Sequence, residues 1–237
     1  MSGGMNCYPG TDILINKYNI KDKDLLDKLE IQKVTVKLLS LDTNPTRIKY
    51  GYDINHLKNI HKFLFGDIYE CAGMYREENL FKSERVLSGG SAEYLDYKKI
   101  DIELKGLLKL YKDVNFNDKE NLKDNVLDFL LKLWSIHPFR EGNTRTCITF
   151  IWHYLKGRGI EFKVELLREN PMYVRDSLVM ANYDQKEYLY KIINDALNSN
   201  GVMKESYYTK DSTKEQYSIA KADYEAFREK YSIKKEG

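Results

Sequence analysis

A cluster of polar and charged residues interrupts the chain between two stretches that are apolar on nearly every side. These stretches are residues 125–136 and 147–155, and helices of that composition belong in the centre of a domain. The central segment between them, residues 137–145, has the sequence HPFREGNTR, where a structural protein would place a short neutral turn. The mismatch between a central position and a charged composition indicates a functional site.

The first and middle residues of the central segment predict a base beside an anion site. Pro138 disfavours the α conformation at His137, so the preceding helix should end there and the imidazole should project from its C-terminal end. Gly142 and Asn143 should open the next helix, whose free backbone N–H groups and positive dipole end attract anions. We therefore expect an anion to bind next to His137.

Two further side chains extend the prediction to a phosphate and a metal ion. Arg145 supplies a cation whose donors suit phosphate oxygens, and Glu141 supplies the hard oxygen ligand that Mg²⁺ takes alongside substrate phosphates. A zinc site is disfavoured because no HxxxH or CxxC spacing joins the residues that would form it, namely His137, Glu141, Cys147 and His153. We interpret the three other histidines as structural residues: His56, His61 and His153.

The pattern elsewhere is that of a mainly helical protein. Only 4 prolines occur in 237 residues, and long apolar-periodic stretches run between them. The periodicity predicts helices over residues 22–41, 53–70, 93–112, 119–136, 144–157, 171–181, 185–198 and 214–231. Residues 74–92 lack a helical stripe and carry Gly89-Gly90, which favours a loop or a β-hairpin. A polar stretch at residues 199–213 is predicted to be a linker. It connects one domain, residues 8–198, to an amphipathic C-terminal helix and tail at 214–237.

The composition favours an ordinary soluble domain and disfavours several other classes of protein. The chain is 42% hydrophobic and 31% charged, and its formal charge of +2 is too small to indicate nucleic acid or an anionic membrane as a partner. No segment approaches the about 18 consecutive apolar residues of a membrane span. The 3 cysteines have no CxxC spacing, which favours reduced thiols. We therefore expect a cytoplasmic protein that contacts neither a membrane nor nucleic acid directly.

The central segment resembles the signature of the Fic family, His-Pro-Phe-any-Asp/Glu-Gly-Asn-Gly-Arg, at every defined position except one. Residues 8–16 (YPGTDILIN) and 57–76 (LKNIHKFLFGDIYECAGMYR) are similar to two other stretches of that family, so the resemblance spans about residues 8–197. It implies an all-α fold, a compact helical bundle with a small β-hairpin called the flap, here residues 79–92. In the family the flap holds an extended segment of the target protein by strand-like pairing.

The resemblance also implies a reaction, in which AMP passes from ATP to a Ser, Thr or Tyr hydroxyl of a protein. The signature His, matched by His137, is the general base of that reaction. The acidic residue, matched by Glu141, holds Mg²⁺, or Mn²⁺ in its place, on the phosphates, and Phe139 packs inward. The implied nucleotide-binding residues are Gly142, Asn143, Thr144 and Arg145 around the phosphates, and Asn182 and Tyr183 near the adenine, with core packing favoured for Tyr183.

Two positions depart from the family pattern. Thr144 replaces the second signature Gly, and its Cβ narrows the approach of a phosphate to the backbone, unless its hydroxyl instead caps the helix. Ile148 replaces a second Arg that family members direct at the γ-phosphate. An inhibitory pattern of the family, Ser/Thr-any-any-any-Glu-Gly/Asn, recurs at residues 232–237. Its acidic residue, Glu236, lacks that Arg as a partner, so we expect it to lie at a solvated chain end.

These observations predict a protein adenylyltransferase. The expected partners are a target protein with a hydroxyl side chain, the chain itself, given its 19 tyrosines, and, as an open alternative, a second copy in a homo-oligomer. Two other functions stay open. One is another Fic-type transfer, of a phosphate or a phosphocholine group, and the other is a catalytically weak module that binds nucleotide without turnover.

Overall fold

The computed structural model describes residues 6–87 and 90–198. Within those ranges it contains eight α-helices, three short 3₁₀ helices and one two-stranded antiparallel sheet. The predicted all-α fold with a small hairpin is therefore confirmed. The predictions for the linker at 199–213, the helix at 214–231 and the pattern at 232–237 lie outside the described residues and stay predictions.

The elements alternate between long helices and short connections. The helices are α1 (Lys23–Thr43), α2 (Ile54–Phe65), α3 (Ile100–Lys112), α4 (Leu122–Ile136), α5 (Asn143–Lys156), α6 (Val164–Glu169), α7 (Pro171–Ala181) and α8 (Glu187–Leu197). The strands are β1 (Phe81–Ser83) and β2 (Ser91–Glu93), and the 3₁₀ helices cover Pro45–Arg47, Arg85–Leu87 and Tyr97–Lys99. Among the described residues, no helix is both long enough and apolar enough to cross a bilayer.

Helices α4 and α5 form the centre of the bundle. Helix α5 packs against α2 and α4, and α4 packs in turn against α3 and α8. Large apolar side chains of these two helices are buried almost completely, among them Phe129, Trp134 and Phe150. Because burying one large apolar side chain contributes about 1.5–3 kcal/mol, the all-round apolar composition of α4 and α5 accounts for their central position.

The observed helices differ from the predicted ones at three places. Helix α2 ends at Phe65 rather than at residue 70, because the chain turns at Gly66 although the buried Ile68 and Tyr69 continue the apolar pattern. Helix α3 begins at Ile100 rather than at residue 93, since residues 91–93 form the second strand of the hairpin. Helix α6 was not predicted, because its 6 residues are fewer than helical periodicity needs to be recognised.

The hairpin forms at the predicted flap, residues 79–92. Strand β1 pairs antiparallel with β2, with Lys82 opposite Ala92. Two consecutive residues after β1 anchor this flap to α7 through ion pairs, Glu84 with Arg175 and Arg85 with Asp176. The flap is thereby held against α7, a helix that lies about 90 positions later in the sequence.

Candidate active site

His137 ends α4, as Pro138 predicts, and adopts the left-handed conformation with φ 50° and ψ 59°. Its N–H donates to the carbonyl of Trp134 at 3.0 Å. The imidazole was expected to project from the helix end, and that expectation needs a correction, because the side chain has no exposed surface. Tyr94, which follows β2, stacks on the imidazole with 3.7 Å between the ring centroids and covers it.

The two ring nitrogens of His137 have different environments. Nδ1 lies 3.3 Å from the carbonyl oxygen of Trp134, so this nitrogen carries the proton of the neutral ring. Nε2 is buried and has no hydrogen-bond partner among the described residues. Burial lowers the pKa of His137 well below its ordinary value, and the nearby cations of Lys82 and Arg175 lower it further. His137 is therefore neutral at pH 7, with the lone pair of Nε2 ready to accept a proton.

Arg76 holds the turn after α4 in place. Its side chain is 2% exposed, and its Nε donates to the carbonyl of His137 at 2.8 Å. Its backbone N–H donates to the carbonyl of Pro138 at 2.9 Å, and its Nη1 donates to the carbonyl of Glu78 at 2.7 Å. Arg76 thus satisfies carbonyl groups that the helix end leaves open, and it fixes the position of the base.

Asn143 and Phe139 close the central segment on itself. The side chain of Asn143 accepts the N–H of Phe139 at 2.9 Å and donates to its carbonyl at 2.7 Å. Phe139 is fully buried, as the resemblance implied, and stacks on His61 with 3.9 Å between centroids. His61 bonds the N–H of Gly73 and the carbonyl of Glu141, and burial lowers its pKa to about 4. The side chain of Asn143 therefore holds the backbone of Phe139, while its own backbone N–H at the start of α5 is a donor for an anion.

The start of α5 presents backbone donors beside His137. Gly142, with φ 75°, precedes the helix, and the first helical bond runs from the N–H of Thr146 to the Gly142 carbonyl at 3.0 Å. The N–H groups of residues 143–145 come before that bond and form the anion end of the helix. The alternative that Thr144 caps α5 is wrong. Its hydroxyl instead accepts the indole N–H of Trp134 at 2.9 Å.

Arg145 is paired within the protein. Its Nη2 lies 2.5 Å from Oε1 of Glu30 on α1, and its guanidinium lies 4.8 Å from the ring centroid of Phe65. Glu30 also accepts the hydroxyl of Tyr69 at 2.5 Å. One turn further along α5, Ile148 is 5% exposed and packs in the core, so α5 carries no cation there. A phosphate role for Arg145 therefore stays a prediction that requires it to share or leave Glu30.

Glu141 is the acidic group of the site, and its carboxylate fits a single-ligand Mg²⁺ site. Oε2 lies 3.0 Å from Nζ of Lys82 on the flap, and Oε1 accepts the N–H of Gly142 at 3.0 Å. Burial alone would raise the pKa of Glu141, but Lys82, the Gly142 N–H and Arg145 hold it well below its ordinary value. The carboxylate is thus ionised. Since the described residues contain no cluster of three His, Cys, Asp or Glu side chains, the other ligands must come from phosphates and water.

A cavity of about 560 Å³ lies between β2, α3, α4 and α7, and its lining includes Ile136, the residue before His137, but not His137 itself. The two candidate adenine residues, Asn182 and Tyr183, both line it, as do Ser135 and Glu103. Ser135 donates its hydroxyl proton to Oδ1 of Asn182 at 2.6 Å. The core-packing interpretation of Tyr183 is wrong, because this residue is 38% exposed at the end of α7.

Several residues near the base were not predicted from the sequence: Lys82, Glu84, Tyr94 and Arg175. Lys82 and Glu84 belong to the flap, Tyr94 follows β2 and Arg175 lies on α7, and all four reach the central segment only in the folded chain. The Glu84–Arg175 and Lys82–Glu141 pairs join residues 91 and 59 positions apart. The single sequence signal that pointed to them was the flap itself, which the resemblance located without assigning a role to its charged side chains.

The sequence of this chain is similar to those of known proteins. Residues 51–155, a range that contains the flap and the central segment, match the model of the Fic/DOC family. The protein adenylyltransferase VbhT of Bartonella schoenbuchensis is 30% identical over 151 residues, which are 64% of this chain and 30% of VbhT. The probable protein adenylyltransferase y4lH of Sinorhizobium fredii is 31% identical over 159 residues, 65% of this chain and 77% of that protein.

Solved structures share the fold. The type IV secretion effector BepA matches with a TM-score of 0.67 at 23% identity, over 84% of this chain and 70% of BepA. BepC of Bartonella tribocorum, solved with bound AMPPNP, matches with a TM-score of 0.63 at 23% identity, over 81% of this chain and 95% of that one. From the sequence match to y4lH over most of its length, together with the match of residues 51–155 to the family model, we conclude that this chain belongs to the Fic/DOC family.

Proposed function

We propose that this protein transfers AMP from ATP to the hydroxyl of a Ser, Thr or Tyr side chain on a target protein. The observation that carries the proposal is the buried, unpartnered Nε2 of His137 beside the N-terminal end of α5. A base next to an anion site is what the attack of a hydroxyl on a phosphate needs. The relatives VbhT and y4lH bear the name of that activity.

In the proposed reaction, the target's hydroxyl oxygen attacks the α-phosphorus of ATP. A new O–P bond forms, the bond from the α-phosphorus to its bridging oxygen breaks, and pyrophosphate leaves with the electron pair. Nε2 of His137 takes the hydroxyl proton, and the resulting imidazolium keeps its Nδ1–H on the carbonyl of Trp134. The lowered pKa of His137 then favours release of that proton to solvent.

Phosphate charge has to be balanced at two places. The N–H groups at the start of α5 would bind phosphate oxygens, and Glu141 is the residue that would hold Mg²⁺ or Mn²⁺. When bound, the metal ion neutralises charge on the α- and β-phosphates. As its ligand, Glu141 would either share its carboxylate between the metal and Lys82 or exchange Lys82 for the metal.

The cavity and the flap supply the remaining contacts. The cavity of about 560 Å³ has the size of a small-molecule site, and we assign the adenine to it, beside Asn182 and Tyr183. Strand β2 of the hairpin contributes Ser91, Ala92 and Glu93 to the same cavity. A target segment that pairs with a flap strand would therefore run past the nucleotide, within reach of His137.

The partner of the reaction is a protein that presents an accessible hydroxyl. We include the chain itself as a target, because it carries 19 tyrosines. We also propose that the protein acts in the cytoplasm and that it can assemble into a homo-oligomer.

The test is incubation of the protein with Mg²⁺ and ATP labelled at the α-phosphate. Label should enter protein, on the chain itself or in a lysate, with a mass gain of one AMP. His137→Ala should lower the labelling rate by about 10²–10⁴-fold, the usual cost of losing a general base. His153→Gln is the matched control, since His153 is a buried histidine as well, but it lies on α5 and bonds the carbonyl of Pro45, away from the cavity.

Three results would contradict the proposal. Label that enters only from the γ-position shows phosphate transfer instead. Tight ATP binding without any labelling of protein shows a binding module. Equal labelling by the parent and by His137→Ala removes His137 from the mechanism.

A further inference from the structure

A second cation lies beside the start of α5, and it comes from α7. Nη1 of Arg175 lies 3.4 Å from the hydroxyl oxygen of Thr144, the second residue of α5. The other side of the same guanidinium is occupied by Glu84 of the flap, with Nε 3.1 Å from Oε2 and Nη2 2.5 Å from Oε1. The guanidinium of Arg175 is thus fixed on one edge by a carboxylate, and its remaining nitrogen reaches the side chain of Thr144 in the first turn of α5.

Glu84 is held as firmly as the cation that it orients. Its side chain is 5% exposed, and it accepts the hydroxyl of Tyr94 at 3.1 Å in addition to the bonds from Arg175. Burial would lower the pKa of Arg175, but the bonds to Glu84 raise it, so the guanidinium stays charged. A buried ion pair adds little net stability. The main consequence of the Glu84–Arg175 pair is therefore that it fixes the orientation of the Arg175 guanidinium.

The two positions on α5 at which the family signature has an Arg do not supply a free cation at the start of this helix. Ile148 provides none on α5, and Arg145 is engaged by Glu30 on the opposite helix. A polyphosphate at the start of α5 would bring several negative charges next to Thr144, where Nη1 of Arg175 already lies. The contact with Thr144 also shows that the side chain reaches this far without leaving Glu84.

We propose that Arg175 contacts the polyphosphate of the bound nucleotide through Nη1, and that Glu84 is the positioning residue that aims it. The flap thereby orients a phosphate-binding group in addition to holding a target segment. The proposal rests on the proposed function, because it takes ATP to bind at the start of α5.

Binding measurements test the contact without any turnover. Arg175→Gln should weaken ATP and ADP, measured by calorimetry with Mg²⁺, by about tenfold or more, the value of one charge-assisted hydrogen bond. Adenosine, which has no phosphate and is followed by ligand-observed NMR, should bind the parent and the variant within about twofold of each other. Arg175→Lys keeps the charge without the fork, so it should recover part of the ATP affinity and also show whether the loss reflects misfolding.

Asp176→Asn is the matched control, because it breaks the neighbouring ion pair between α7 and the flap, with Arg85, without facing Thr144. It should leave ATP affinity within about twofold of the parent. Equal weakening of ATP and adenosine by Arg175→Gln, or equal weakening of ATP by both variants, would show a structural role and overturn the proposal. Unchanged ATP affinity in Arg175→Gln would overturn it as well.

The role of Glu84 is read from kinetics. Glu84→Gln should raise the KM for ATP by about threefold or more while the labelling rate at saturating ATP is retained, because Arg175 is then less well aimed. An unchanged KM, or a labelling rate above that of the parent, would refute positioning by Glu84. If ATP binding depends on Arg175 but the protein never transfers AMP, the proposed function is wrong and the contact between Arg175 and the polyphosphate is still supported.

Discussion

Replacing Gly142 by Ala tests the geometry on which the whole site depends. Gly142 has φ 75° and connects Glu141 to the first residue of α5. A Cβ built at this position would lie 2.9 Å from Cε1 of Phe65 and closer still to Cζ and Cε2 of that ring. Phe65 is fully buried on α2, so its ring has no free space into which it can move.

The expected loss of stability has two parts. The left-handed conformation costs a non-glycine residue about 1–2 kcal/mol. Overpacking against a buried ring adds about 1–3 kcal/mol. Gly142→Ala should therefore lower the free energy of unfolding by about 2–5 kcal/mol, the sum of these contributions. The strain also moves the N–H groups at the start of α5, so nucleotide affinity should fall.

Gly159→Ala separates the two parts, because Gly159 has nearly the same φ, 74°, but a Cβ there would have no atom within 4 Å. Urea unfolding of both variants measures the difference. We expect Gly159→Ala to lose only the conformational part, about 1–2 kcal/mol, and Gly142→Ala to lose at least about 1 kcal/mol more. Equal losses would refute the reasoning, since they would show that the central segment shifts away from Phe65 at no cost.

Three further predictions follow from the charges of the site. Glu141→Gln should slow labelling and be partly restored by higher Mg²⁺ or Mn²⁺, and a titration of metal against labelling rate that is flat contradicts the role of the carboxylate. Lys82→Met removes a cation that lowers the pKa of His137, so the acid limb of the pH–rate profile should move to higher pH, whereas an unmoved limb argues against that coupling. The pKa values of His61 and His153 are lowered from 6.5 to about 4, so the unfolded chain binds protons first. The free energy of unfolding should therefore fall as the pH drops from 6.5 toward 4, by about 1.4 kcal/mol per pH unit for each histidine. Urea unfolding measured over this pH range tests the prediction. A free energy that does not change with pH would contradict the neutral state of the two histidines.

The backbone of the central segment was predictable because its causes are local. Pro138 restricts His137, and Gly142 allows a positive φ that other residues avoid, so the end of α4 and the start of α5 follow from neighbouring residues. The apolar composition of α4 and α5 likewise predicts their burial. In α2 the same pattern misled, because buried side chains continue past the point where the helical backbone stops at Phe65.

The partners of the side chains were not predictable, because they come from distant parts of the chain. Thr144 was expected to narrow the phosphate site or to cap α5, but Trp134 and Arg175 take its hydroxyl as an acceptor. Nothing in the residues around Lys82 or Arg175 indicates that they meet the central segment. Pairing between a hairpin and a helix about 90 positions later depends on how the whole bundle packs, and single-sequence patterns carry little information about such contacts.

The charged side chains of the central segment show how this site can remain stable before a nucleotide binds. Glu141 pairs with Lys82, Arg145 with Glu30 and Arg140 with Glu78, so each has an opposite charge within the protein. These side chains are only partly exposed, so the ion pairs offset part of the cost of removing their charges from water. A phosphate that arrives alone would meet the carboxylate of Glu141 and be repelled by it. If Glu141 holds Mg²⁺ as we propose, a nucleotide that arrives with the metal would present a cation to this carboxylate instead of a bare negative charge. We therefore expect the site to favour the metal complex of the nucleotide over the free nucleotide.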